Sequence, residues 1–443
     1  MTTFYYINYR TKMHYPILEN SLLGPKLEKS RSYRIVGAGM AGLLLGFFFK
    51  RAGIDFQIVE RSDRVGGLIG TERLKHGIAE QAANGFLWCP ELQLVADELG
   101  LPLLPPKPSA KARFLLRQRQ LRRFPLGPLE TLQLVGRLLM PHFRRPQTVG
   151  EFGRQYLGPA FTRQLLAPGL AGIYGADIEQ LSLAGALKPA AKLLNRSRYL
   201  PLALLKGWWA SRRAPKAAKP PARGTHSFAG GMGALARALG EHLDDHILLN
   251  TDGLAYKEQK EPLVVTTPAP ASRAFFDGEL QELLGQVQYN AMISATFIFR
   301  RSALKQFKEG FGCLIPRNEG LNILGVLFNS CIFDQRVDSE ELVSLTAILR
   351  DDQPGYPWFK MMDVDLKNLV HRDLDALFDI NENPLDYTLF RWKTGIPIYT
   401  QELQRSWGQM NQLLQQQPHP RYLFGNYTGE ISIRGMCQMA AKI

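Results

Sequence analysis

The stretch from Tyr33 to Gly67, YRIVGAGMAGLLLGFFFKRAGIDFQIVERSDRVGG, limits what this chain can fold into more than any other. Tyr33 to Val36 reads as a strand, and Gly37, Gly39 and Gly42 form a G-x-G-x-x-G turn. A helix from about Met40 to Ala52, a turn at Gly53 and a second strand from Asp55 to Glu60 come next. Strand, helix and strand in that order require a parallel pair with a right-handed crossover. The glycines allow the tight turn and let a pyrophosphate approach the helix N-terminus, where free N–H groups and the dipole favour an anion. Glu60, about 20 residues on, would accept hydrogen bonds from an adenosine ribose. With strand, helix and acid in place, the pattern reads as a dinucleotide site rather than a structural glycine turn.

The remainder of the chain sets bounds. Its 443 residues, 45% hydrophobic, can bury a large core in two or three domains. The net charge of +14 is concentrated: between Lys107 and Arg223 there are 22 Lys and Arg against four acids, Glu130, Glu151, Asp177 and Glu179. Nucleic acid, an anionic membrane surface, an anionic small substrate or a merely solvated face could each account for such a segment. The uncharged run Ile35 to Phe49 is too short and too rich in glycine to span a bilayer. Residues 1–30 lack the apolar core of a secretory signal and read as a frayed tail or as the product of an upstream start codon. Cys89, Cys313, Cys331 and Cys437 are far apart without metal spacing, so they read as separate reduced thiols with no disulfide. His242 and His246 are spaced i, i+4 but have no third ligand near, and no metal is expected.

Further along, Thr148 to Phe152 is a capping box, with Thr148 as N-cap, Glu151 three residues on, and Phe152 and Tyr156 spaced i, i+4 behind. Helical pieces continue to about Trp209, and Ser211 to Gly224 is a basic, proline-rich linker. Trp208 and Trp209, beside Lys206, Arg212 and Arg213, fit an interfacial anchor. Gly230 to Leu243 is a glycine turn and an amphipathic helix, and strand-like pieces at Pro262, Ala295 and Leu321 give the middle of the chain a sheet of its own. The end of the chain is a strand, a glycine turn and a helix.

Which dinucleotide is bound turns on the residues after Glu60: Arg61, Ser62, Asp63, Arg64, Val65, Gly66 and Gly67 supply a second glycine pair that an ordinary NAD dehydrogenase does not need. This run resembles the flavin-containing amine oxidase superfamily, and four further stretches narrow the resemblance to the oxygen-dependent protoporphyrinogen oxidases of haem synthesis. They are LAPGLAGIYGADIEQLSL at Leu166–Leu183, FAGGMGALARAL at Phe228–Leu239, GFGCLIP with LGVLFNSCIFDQR, and FGNYTGEISI at Phe424–Ile433. The likeness runs in family order from residue 33 to the end. Two departures stand out. The chain is shorter than usual between Leu243 and Pro262, and Glu430 stands where the family has glycine. A carboxylate there would oppose a negatively charged reduced flavin if it pointed inward, and it is expected to point outward.

The resemblance implies an α/β fold: a Rossmann-like FAD domain of the p-hydroxybenzoate hydroxylase type, interrupted by a substrate-binding sheet domain and a helical basic insertion. The expected division is a tail at 1–30, FAD-domain parts at 31–105, 224–270 and 395–443, the insertion at 106–223 and the substrate domain at 271–394. Non-covalent FAD would be held by Gly37, Ala38, Gly39, Met40, Ala41, Gly42, Glu60, Arg61, Arg64, Gly66, Gly67, Ala83, Asn84, Gly85, Leu254, Asn426, Gly429, Ile431, Ser432 and Ile433. Arg122, with Arg123 where proline is usual, would pair a substrate propionate. Gly172, Ile173, Gly175, Met292, Lys308 and Phe328 would line the substrate pocket, with Lys308 replacing an aliphatic residue.

The implied activity is oxidation of protoporphyrinogen IX to protoporphyrin IX, with O2 or another acceptor. Coproporphyrinogen III oxidation, a non-porphyrin amine oxidase or desaturase, and a non-catalytic flavin protein are the alternatives. The expected partners are an anionic porphyrinogen and a peripheral anionic membrane rather than nucleic acid, and the expected setting is cytoplasmic, at or near the inner face of the membrane.

Overall fold

The computed structural model describes Tyr15 and residues 22–123, 126–142, 144–213, 224–350 and 358–443, without the side chains of 210–213. Most of the linker read at Ser211–Gly224, and with it Arg212 and Arg213 as anchor flanks, lies outside what is described.

Tyr33–Val36 is the middle strand of a five-stranded, wholly parallel sheet. The order is Ile247–Leu248, Phe56–Val59, Tyr33–Val36, Leu263–Val265, Arg421–Leu423. The chain builds outward on one side of the central strand and later returns to the other, so the order reverses between Tyr33–Val36 and Leu263–Val265. Ligands of such sheets lie beyond the carboxyl ends of the strands at this reversal. The glycine turn leaves the central strand at that end. Helix Met40–Ala52 is apolar on every side and buried from Met40 to Phe49. It packs between the C-terminal helix Ile433–Ala440 and helix Gly233–His242, as an all-round apolar helix must.

The second sheet has seven strands, ordered Asp386–Pro397, Tyr289–Arg300, Leu342–Arg350, Gly325–Phe328, Gly312–Leu314, Arg113–Arg117, Gln120–Arg122. Alternation gives it two faces. Ile293, Ala295, Phe297 and Phe299, with Val343, Leu345, Ala347 and Leu349, form a core with helix Asp363–Phe378. Met292, Ser294 and Thr296, with Arg350 and Thr346 in register, occupy the opposite face. A separate two-stranded hairpin, Thr71–Arg73 with Ile78–Glu80, is tied to the segment before strand Leu342–Arg350, where the Ile78 N–H donates to the Arg336 carbonyl at 3.1 Å and Arg73 makes a two-pronged pair with Asp338 at 3.0 and 2.6 Å.

Two sequence expectations are corrected here. The stretch expected at 106–223 as a helical insertion opens with a hairpin, Arg113–Arg122, that extends the second sheet, and its helices begin at Pro128. Its two-residue turn has Gln118 and Arg119 at φ 54° and 58°. That strained turn geometry is held because both N–H groups donate to the Glu319 carboxylate at 3.1 Å. The N-terminal segment is also not a frayed tail over its described residues. Leu23 exchanges backbone hydrogen bonds of 2.9 Å with Leu423, covering the outer edge of the parallel sheet. Tyr15 is buried, its hydroxyl donating to the Pro146 carbonyl at 2.6 Å and its N–H to Asn195 Oδ1 at 2.7 Å. Tyr15 thus packs on the insertion and Leu23 on the parallel sheet.

The insertion itself carries helices Pro128–Leu139, Val149–Phe152, Ala167–Tyr174, Leu183–Ala186, Lys188–Arg196 and Leu200–Arg213. Its capping box forms as read: the Glu151 N–H donates to Thr148 Oγ1 at 3.1 Å, and the Phe152 and Tyr156 rings stack at 5.2 Å.

Candidate functional site

At the carboxyl end of the parallel sheet, the three glycines have different steric reasons. Gly37 sits at φ 103°, a conformation that other residues rarely adopt. A Cβ on Gly42 would come within 2.0 Å of the Gly37 carbonyl oxygen, whereas one on Gly39 would meet no atom within 4 Å. The turn is therefore closed on the protein side and open on the side from which a pyrophosphate would approach. The second glycine pair folds onto the first: the Gly66 N–H donates to the Ala38 carbonyl at 2.8 Å, and Arg64 donates to the Gly67 carbonyl at 3.0 Å. Glu60 accepts the Ala38 N–H at 2.8 Å and the Ser62 N–H and hydroxyl at 2.9 and 2.8 Å. A cleft of about 880 Å³ continues from Arg64–Thr71 along Gln81 and helix Gly233–His242.

Other residues expected at the cofactor fall into place around this crevice or outside it. Met40 and Ala41 open the helix, and Gly85 sits so close to strand Thr225–Phe228 that a Cβ would lie 2.6 Å from the His226 carbonyl oxygen. Asn426 lies beyond the fifth strand, its carbonyl accepting the Tyr399 hydroxyl at 2.6 Å, and Ser432 caps the last helix by accepting the Gly435 N–H at 3.0 Å. Arg61 is exposed, and Leu254 is 43% exposed on a single 3₁₀ turn, where the chain is short.

Between the two sheets lies a polar centre that the sequence did not reveal. Glu80 and Arg336 are each 2% exposed and approach to 3.4 Å. Glu80 also accepts the Thr71 hydroxyl at 2.6 Å and the Met232 N–H at 2.9 Å. Burial pushes the Glu80 carboxyl up and the Arg336 guanidinium down, and each partner's charge works against that shift. One Arg336 Nη, Gln81 Oε1 and Ser294 Oγ are buried without a protein partner. Each such atom costs about 1–3 kcal/mol unless a ligand's polar groups meet it. Open glycine backbone beside unpartnered polar atoms fits a polar dinucleotide such as FAD.

The substrate-side residues divide. Gly175 and Met292 come together, since a Cβ on Gly175 would lie 2.7 Å from the Met292 sulfur. The buried Arg350 donates to the Gly175 carbonyl, Asn290 Nδ2 donates to the Tyr174 carbonyl at 2.9 Å, and Trp392 Nε1 donates to the Gln81 carbonyl at 2.7 Å. Gly172 and Ile173 lie on the exposed side of helix Ala167–Tyr174. Arg122 ends the edge strand in register with Leu115, exposed, with long contacts of 3.4 and 3.5 Å to Gln118 and Gln120 among the described residues. Two expected pocket residues are elsewhere. Phe328 is fully buried in the core against Phe114, Phe307 and Phe378, because strand alternation turns it toward helix Asp363–Phe378. Lys308 is exposed on the loop that brings Phe307 into that core.

Several features escaped the sequence reading. Helix Pro128–Leu139 buries no residue and exposes Leu129, Leu132, Val135 and Leu139. Their spacing along a helix was the available signal. It packs near helix Leu200–Arg213, where Leu204, Leu205, Trp208 and Trp209 are exposed and Leu200 is buried. Cys89 lies against Cys437 in one core rather than standing apart. The His242 and His246 rings pack on Phe47 and Phe56. No described helix is long and apolar enough to cross a membrane.

The family model of flavin containing amine oxidoreductases matches residues 40–253 and 258–434. Protoporphyrinogen oxidase 2 of Arabidopsis thaliana, chloroplastic and mitochondrial, is 23% identical over 461 aligned residues, covering 90% of this chain and 90% of its own length. Coproporphyrinogen III oxidase of Bacillus subtilis is 23% identical over 415 residues, covering 82% of this chain and 87% of its own. A crystal structure from Exiguobacterium sp. 255-15, provisionally assigned as a protoporphyrinogen oxidase, shares the fold with a TM-score of 0.73 at 21% identity, over 93% of this chain and 97% of that one.

Proposed function

Because the chain belongs to the flavin containing amine oxidoreductase family and is an FAD-dependent oxidoreductase, we propose that it oxidises protoporphyrinogen IX to protoporphyrin IX in haem synthesis, with O2 as acceptor. The observation that carries this reading is the length of the likeness: a protein named protoporphyrinogen oxidase aligns over nine-tenths of both chains. FAD supplies the hydride acceptor when bound, and the chain's own residues do the rest.

Glu60 keeps lone pairs for the ribose hydroxyls while its bonds to Ala38 and Ser62 fix the turn. Gly39 and Gly66–Gly67 admit the pyrophosphate, and Arg64 steadies that second pair. The Glu80–Arg336 centre orients Thr71 and Met232 and leaves one buried Arg336 Nη without a protein partner. Met292 and Gly175 form the apolar wall for the tetrapyrrole, with Arg350 fixing the Gly175 backbone. Arg122, at the sheet edge, takes a propionate through its planar fork.

One observation favours coproporphyrinogen III as a second reading. Lys111, Arg113 and Arg123 line a separate cleft of about 510 Å³ with Glu309 as its one acid, which suits a substrate with four carboxylates rather than two. The exposed apolar faces of helices Pro128–Leu139 and Leu200–Arg213, within a basic segment, support peripheral contact with an anionic membrane.

The test is to incubate the purified yellow protein in air with each porphyrinogen and follow porphyrin fluorescence. Protoporphyrinogen should give the faster rise. A faster rise with coproporphyrinogen transfers the assignment to the second reading, and no rise above the uncatalysed rate with either removes both.

A further inference from the structure

Glu430 lies in the turn between the fifth strand and the last helix, on the far side of the sheet reversal from Glu60. A dinucleotide that crosses the carboxyl ends of the strands from Glu60 past Gly39 runs toward this turn. The Glu430 side chain does not run free into solvent. Its Oε1 accepts from the Lys188 ammonium, which also donates to the Gly429 carbonyl, and both side chains are largely covered, at 18% and 23% exposure. Its other oxygen lies over the first turn of helix Ile433–Ala440, so close that a Cβ on Gly435 would come within 2.2 Å of it. The carboxylate thus faces a cation on one side and the positive end of a helix on the other.

Lys188 belongs to the insertion, where it begins helix Lys188–Arg196. The turn before it is held by the Tyr174 hydroxyl, which donates to the Ala186 carbonyl at 2.9 Å. Tyr174 in turn precedes Gly175, which meets Met292. Burial chiefly, and the Glu430 charge in addition, make Tyr174 and Tyr399 harder to ionise. The neutral hydroxyls therefore remain donors, and the carboxylate's charge is answered by Lys188 rather than by them.

We propose that Lys188 is a positioning residue that neutralises Glu430 at the redox end of FAD, so that the insertion sets how readily the flavin is reduced. This rests on the flavoenzyme reading. An unanswered carboxylate beside the flavin opposes the extra electron density of the reduced form, and an unanswered ammonium favours it.

The experiment is the midpoint potential of the bound flavin, titrated against reference dyes in wild type, Lys188→Met, Glu430→Gly and the double variant. Lys188→Met should shift the ratio of reduced to oxidised flavin at least tenfold toward oxidised, about 30 mV downward for a two-electron couple. Glu430→Gly should shift it at least tenfold upward, and the double variant should return to within about threefold of wild type. Single variants that keep flavin and stay within that threefold band, or that shift in one direction, overturn the inference. Should Lys188→Met fail to retain flavin, the upward shift of Glu430→Gly decides alone. Wild type that binds no flavin fails at the flavoenzyme reading instead, so the two failures are distinct.

Discussion

In the parallel sheet, position is set by backbone: Gly42 must lack a side chain because the Gly37 carbonyl occupies that space, and the second glycine pair lies on the first through one N–H bond. Across the crevice the wall is made of side chains drawn from distant segments, with Gly175 from the insertion, Met292 and Arg350 from two strands, and Trp392 from a fourth segment bonding to Gln81. The first region has no room for a side chain at Gly42 and carries a local signature. The second is assembled from segments far apart in the chain and carries no local signature.

The contrast between the two regions breaks first at the Glu80–Arg336 centre, which serves both. Arg336→Met leaves a buried carboxylate without its cation, and removing one member of such a pair costs about 3–5 kcal/mol. Urea unfolding should show a loss in that range; a loss below about 1 kcal/mol would mean the sheets are held by other contacts. Gly42→Ala should cost about 3 kcal/mol through overpacking against backbone, with FAD lost on gel filtration. Full flavin retention would show that the cradle can yield.

Smaller effects sharpen the contrast. His226 is fully buried, and burial depresses its imidazole. The folded state therefore binds that proton less readily than the unfolded state, whose imidazole titrates near 6.5. Its stability contribution is intact above that pH and falls as pH drops below it, by at most about 1.4 kcal/mol per pH unit. His226→Gln should flatten the acid limb of stability against pH, and an unchanged limb would assign it to other groups.

Arg122→Ala should raise KM for the porphyrinogen by about tenfold while FAD affinity stays put, a modest effect because Arg122 is exposed and its charge is screened. An unchanged KM would move the propionate contact to Arg123 or to the Lys111 cleft. Last, sedimentation with anionic vesicles should weaken when Trp208 and Trp209 become alanine. It should weaken further with Leu129→Ser and Leu132→Ser, since each apolar group buried at the interface adds to about 1 kcal/mol per nearby basic residue. Pelleting equal to wild type in all variants would leave the patch without a membrane role.

The parallel sheet was legible because its signals are local: a turn, a helix and an acid within one βαβ unit. The capping box at Thr148 was legible for the same reason. Phe328, given to the pocket by the family resemblance alone, lies in the core, since strand alternation has a period of two and a one-residue step exchanges the two faces. Lys188 and Arg350 gave no sequence signal, since their partners lie 242 and 175 residues away. The hairpin at Arg113–Arg122 was hidden by arginines and by a turn whose strain is relieved by Glu319, far along the chain.

The central claim is that this chain's FAD is reduced directly by a porphyrinogen. Anaerobic mixing of the holoprotein with protoporphyrinogen IX should bleach the oxidised flavin absorbance in step with the appearance of porphyrin, and admission of O2 should restore the yellow form. Flavin that stays oxidised with both protoporphyrinogen and coproporphyrinogen, yet is readily reduced by dithionite, would contradict the account.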